Sequence, residues 1–129
     1  MRLFKNIINI IKFAPDKNNT IIKYYHISNK LLIPFLLPSF ILDNDYTVKK
    51  YFDFINITNL GFHSFVSFSN IITDYYKKIP FINQNYLRLI NLKGHSFLVL
   101  FFSYNLYLKH YDAAKFNKRR LSKTITLLE

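Results

Sequence analysis

Six polar residues recur through one otherwise apolar stretch: Asn56, Asn59, His63, Ser67, Asn70 and Asp74. On a helix turning about 100° per residue they share a stripe roughly 80° wide. Phe65, Phe68 and Ile72 lie far from it, so the stripe is expected to face the interior of a bundle and the apolar back to face away. Asn and Ser on such a stripe ordinarily join helices by hydrogen bonds. A histidine in an apolar span is costly to desolvate unpaired, so His63 reads as a metal ligand or a functional hydrogen-bonding group. Asp74 and Tyr75 close the stretch. Each has a plain reading, a solvated carboxylate and an interfacial anchor, beside a functional one.

Other chemistries are excluded by composition. The chain has no Cys, which removes disulfides, thiolate zinc sites, iron–sulfur clusters and cysteine nucleophiles together. Two Gly leave little scope for phosphate-cradling loops. Half of the 129 residues are hydrophobic, yet the net charge is +11. More than half of the chain is Phe, Tyr, Ile, Asn and Lys, whose codons are AT-rich. The abundance of Asn and Lys therefore points to a biased genome, such as an organelle's, before it points to disorder or nucleic acid.

The elements that must carry the stripe follow from where charge is missing. Residues 54–72 hold no Asp, Glu, Lys or Arg; as helix they extend about 28 Å, close to a hydrocarbon core of about 30 Å. Residues 31–42 are apolar and reach spanning length if extended back past Lys30 and His26, where the lysine can snorkel. Residues 94–108 form a third uncharged run that lengthens through residues 89–93. Asp43, Asn44 and Asp45 break the chain after the first run, and residues 77–80 after the second. Pro34 and Pro38 predict a kink in the first. The expected fold is all-α, a three-helix transmembrane anchor. Its spans are 27–42, 54–75 and 89–109, with a basic interfacial arm at 1–26, loops at 43–53 and 76–88, and a basic tail at 110–129. The opening fifteen residues are basic and amphipathic and are expected to stay as an uncleaved interfacial helix. Residues 1–30, 43–53 and 74–93 carry net +5, −1 and +3. That series places the N-terminus and the second loop on the inside face, with the tail, at net +4, outside against the rule.

The segment from His63 to Tyr75, ending Ile71-Ile72-Thr73-Asp74-Tyr75, resembles the second-helix motif of the smaller membrane-anchor subunit of succinate dehydrogenase, respiratory complex II. In that motif a His precedes the Tyr of an apolar-apolar-Thr-Asp-Tyr ending by twelve positions. His26-Ile27-Ser28 and His110-Tyr111-Asp112 are weaker echoes before the first helix and after the third. The residues just after His63 depart from the family, with Ser, Phe and Val where an aromatic and Gly are usual.

The resemblance implies half of a haem-containing helical bundle. His63 would be the axial ligand of haem b, the other coming from the larger cytochrome b anchor subunit. Tyr75 would hydrogen-bond a ubiquinone carbonyl, with Asp74 beside it orienting basic neighbours or handling protons. The remaining partners would be the iron–sulfur and flavoprotein subunits and membrane lipid, with no nucleic acid. The chain would be a non-catalytic part of an enzyme passing electrons from succinate to ubiquinone, in the tricarboxylic acid cycle and electron transport. Its place would be the mitochondrial inner membrane as a multi-pass protein. The competing readings are a basic, aromatic RNA-binding organellar ribosomal protein and a structural subunit of another respiratory complex.

Overall fold

The computed structural model describes residues 14–43, 47–78 and 83–126. Residues 1–13 of the arm expected at 1–26 lie outside them. A single 3₁₀ turn, Pro15–Lys17, leads to Asn18, whose side-chain oxygen accepts from the backbone N–H of Thr20 and Ile21, both at 3.1 Å. This cap satisfies two orphan donors and starts helix α1, Asn19–Ile41. The helix runs through Pro34 and Pro38 and ends where Leu42 donates to the Pro38 carbonyl at 3.0 Å. Helix α2 is Thr47–Tyr75, followed by a 3₁₀ turn, Tyr76–Lys78. Helix α3 is Gln84–Thr126. The chain is all-helical, with α2 central and packed by α1 on one side and α3 on the other.

The helices outrun the expected spans. α2 begins within the expected 43–53 loop. α3 begins within the expected 76–88 loop and absorbs most of the basic tail into one helix of 43 residues, about 64 Å long. Among the described residues, no helix is long and apolar enough to cross a membrane.

Lys49 joins the first two helices. Its ammonium, buried at 9% exposure, donates to the carbonyls of Ser39 at 2.5 Å and Leu42 at 2.8 Å. These sit at the C-terminal end of α1, where unsatisfied carbonyls and the negative end of the helix dipole favour a cation. α2 and α3 pack tightly at Gly61, where an added Cβ would collide with Val99 Cγ2.

The interior is polar. Apart from Pro15, the buried apolar side chains among the described residues are Phe65 and Val66. Asp16, Ser28, Lys49, Asn56, Ser69, Arg88, Asn91 and His110 are buried beside them. Large apolar side chains point outward instead, among them Ile33, Phe40, Phe97 and Leu100. Phe65 lies off the polar stripe yet is buried, because a central helix has two covered faces and Phe65 belongs to the one against α3. There Asn91 Nδ2 donates to its carbonyl at 3.0 Å.

Candidate functional site

The first four members of the α2 stripe face α1, as their spacing requires. Asn56 Nδ2 donates to the Phe35 carbonyl and to Ser39 Oγ, both at 2.8 Å, and Asn59 Nδ2 to the Ser28 carbonyl at 3.0 Å. His63 Nε2 and Ser67 Oγ each lie 3.3 Å from the Tyr25 hydroxyl. The last two members, Asn70 and Asp74, are exposed. Cover by α1 stops near Ser67 because the turn preceding α1 swings across to the α3 side of α2.

That turn builds a second polar cluster. Asp16 accepts from Ser69 Oγ at 3.0 Å, from Arg88 Nη1 at 2.5 Å and from Thr73 Oγ1. Arg88 also donates to Ser69 Oγ at 2.5 Å and to Thr73 Oγ1 at 2.6 Å. The Asp16 and Arg88 side chains are 3% and 1% exposed. Burial alone pushes the Asp16 carboxyl up. The hydrogen bonds from Arg88, Thr73 and Ser69 and the charge of Arg88 outweigh it and hold the group below its ordinary value of 3.8. The cluster pins three segments together within two residues of Asp74 and Tyr75.

Asp74 and Tyr75 themselves are exposed at the last turn of α2. Tyr75 is 53% exposed, and the Lys78 ammonium sits 5.0 Å from its ring centroid. His63 and Tyr75 are twelve residues apart on one helix, about 18 Å along its axis. The structure therefore keeps them as two separate positions, one inside the α1–α2 seam and one at the open end.

An iron ligand is tested at His63 by what its ring touches. The imidazole stacks on Tyr25 at 4.4 Å and 15°. Nε2 has the Tyr25 hydroxyl, and Nδ1 is buried with no partner among the described residues. An imidazole with one long hydrogen bond and one unmet nitrogen fits a group that forms a strong bond to it, provided Tyr25 turns aside. Among the described residues, no cluster of three or more His, Asp or Glu could hold a bare metal ion.

Sequence reasoning missed the α3 side. Arg88 was counted as a loop charge, but it lies on α3 and is buried. His95 Nδ1 donates to the Asn91 carbonyl at 2.9 Å, leaving Nε2 to accept from Ser64 Oγ at 2.7 Å. His110 Nε2 meets the Asp53 carboxylate at 3.0 Å. Arg88, Asn91, His95, Ser103 and His110 recur at helical spacing, so the rule that found the α2 stripe would also have found this one. The chain matches no protein-family model, no curated protein and no solved structure.

Proposed function

We propose that this chain is a membrane-anchor subunit of a succinate:ubiquinone oxidoreductase, spanning the membrane as a three-helix bundle. The observation that carries the membrane half of this reading is the inverted burial: polar side chains paired inside, large apolar ones outside. Water drives apolar surface inward, whereas lipid tolerates it outside and requires polar groups to find partners within. A mean hydropathy taken along α2 counts Asn56, Asn59, His63 and Ser67 against it, although lipid would meet only the outer face. Asp16 lies beside Thr73 and Arg88, which supports a common side for the N-terminal segment and the α2–α3 connection.

The respiratory half rests on the spacing of His63 and Tyr75 and on where each lies. His63 would hold the iron of haem b, which supplies one-electron transfer when bound. Tyr25, stacked on the ring and hydrogen-bonded to Nε2, would have to move away for the iron to bind there. Tyr75 is free to donate a hydrogen bond to a quinone carbonyl oxygen, and a placed donor favours the charge that oxygen gains on reduction. Asp74 stands next to it as an acceptor for protons or for a basic neighbour. The exposure of both suits a site completed by the other subunits.

Extraction tests the membrane half: the chain should resist alkaline carbonate and be released by detergent. Purification of the complex tests the rest. It should carry a low-spin b-type spectrum and succinate–quinone activity, and a chain released by carbonate would refute the anchor.

A further inference from the structure

Phe54 stands between two depressions on the outer surface of the bundle. On one side, a cleft of 570 Å³ opens between the first turns of α2 and the later part of α3. Its walls carry Thr47, Lys50 and Tyr51 from α2, and Ser103, Tyr107 and Tyr111 from α3. On the other side, a groove of 450 Å³ between α1 and α2 runs from Phe54 to Phe62, about 12 Å along the helix. Its walls are mainly aliphatic and aromatic, with Leu31, Phe35 and Ile55 prominent.

The two are neighbours that share Phe54 as a wall. One end offers a cation and several hydroxyls, and the other a mainly apolar trough with Ser28, Thr58 and Asn59 at its margins. That order is the shape of an amphiphile lying along a helix with its headgroup at the end of the bundle. Ser103 also lines the polar end, its Oγ buried and with no hydrogen-bond partner among the described residues. His110, in the cleft wall, is held by Asp53, both side chains being largely buried. Charge decides which headgroup. Lys50 lines the cleft, and α3 continues beyond it with Lys115, Lys118, Arg119, Arg120 and Lys123 against Asp112 alone. A surface of this sign attracts a phosphodiester of net negative charge, and a zwitterionic headgroup gains far less from it.

From this adjacency we infer that the chain binds one anionic phospholipid, its phosphate against Lys50 and the tyrosine hydroxyls and an acyl chain passing over Phe54 into the Phe54–Phe62 groove. The inference rests on the membrane reading above. A chain released by carbonate would fail that reading, whereas a membrane-extracted chain that ignores headgroup charge would fail only this one.

The full chain in detergent is titrated with dioleoyl-phosphatidylglycerol or dioleoyl-phosphatidylcholine, and retained lipid is counted by native mass spectrometry. One phosphatidylglycerol per chain should be retained, with phosphatidylcholine at least tenfold weaker. Lys50→Glu should cut retention tenfold or more and Lys50→Gln several-fold, with helicity unchanged in both. Lys23→Glu, the same charge change at the far end of the bundle, should have no effect. Equal retention of the two lipids, or equal loss in the Lys23 variant, would overturn the site. So would competition by millimolar inorganic phosphate, which marks a free-anion site, or displacement of the lipid by decylubiquinone.

Discussion

Asp16→Asn removes one charge from the most deeply buried ionic contact described in the protein. It leaves the Arg88 guanidinium 1% exposed, facing two hydroxyls and an amide, with its Nε already lacking a partner among the described residues. Removing one member of a buried pair typically costs about 3–5 kcal/mol, because the remaining charge stays desolvated. That is a large share of a total stability of about 5–15 kcal/mol. Replacing both members with apolar groups restores much of the loss, so Asp16→Leu/Arg88→Met should be more stable than either single variant. The pH dependence follows from the lowered carboxyl. A group whose native value lies below its unfolded value stabilises the fold above the unfolded value, and that contribution is lost as pH falls through the native one. Stability from Asp16 should therefore be constant from pH 7 to 5 and decline below about 3.8, the ordinary value. Asp16→Asn should remove that acid limb. Helicity followed by circular dichroism during denaturation in detergent measures both effects. A cost under about 1 kcal/mol for Asp16→Asn, with no coupling in the double variant, would refute a buried and charged pair. A rise in stability as pH falls from 7 to 5 would show that burial, not Arg88, sets the carboxyl.

Three further outcomes are expected. His63→Ala should abolish or shift the b-type spectrum of assembled complex, and Tyr25→Phe should leave it in place; an unchanged spectrum in the His63 variant would end the ligand assignment. Tyr75→Phe should lower succinate–quinone turnover by roughly tenfold, as expected for a donor worth about 1.4 kcal/mol in the transition state. Succinate oxidation by an artificial acceptor should survive, and equal loss of both would make Tyr75 an assembly residue. Gly61→Ala should destabilise by about 1–3 kcal/mol through its collision with Val99. Val99→Ala added to it should recover part of that in the same denaturation assay.

Much of the fold was legible because two periodicities agreed. The charge-free runs located three helices, and the stripe on α2 identified the face against α1 through Asn56, Asn59, His63 and Ser67. Three things were not legible. The expected tail reads as loop by charge, but Lys and Arg are good helix formers, and residues 110–126 contain no Gly or Pro to stop α3. Pro34 and Pro38 signalled a kink within one helix, and α1 does run through both; what they did not signal is that its C-terminal end is held by Lys49 from another helix. Asp16 lies fifty-three residues from Ser69 and seventy-two from Arg88. No local pattern announces a partnership at that separation, and Asp16 read simply as one charge in a basic arm.

The same contrast explains why α2 fails as a membrane span by average hydropathy while its surroundings argue otherwise. Averages along the chain treat a helix as uniform, but a bundle divides it into sides. On α2, Asn56, Asn59, His63 and Ser67 are consumed by α1, and Ser64 and Ser69 by α3 and the N-terminal turn. What remains outward includes Phe54, Ile55, Leu60, Phe68 and Ile71. In water, an outward apolar surface of this extent is a binding surface, and with so few buried apolar side chains little hydrophobic burial would remain to hold three helices together. In lipid or against partner subunits, the inward polar groups become the adhesive, because separating the helices would leave each of them unpaired. Disrupting the Asn56 and Asn59 contacts, by Asn→Leu at both positions, should then loosen the bundle in detergent even though each change raises hydropathy. A soluble helical protein of ordinary core would respond in the opposite direction.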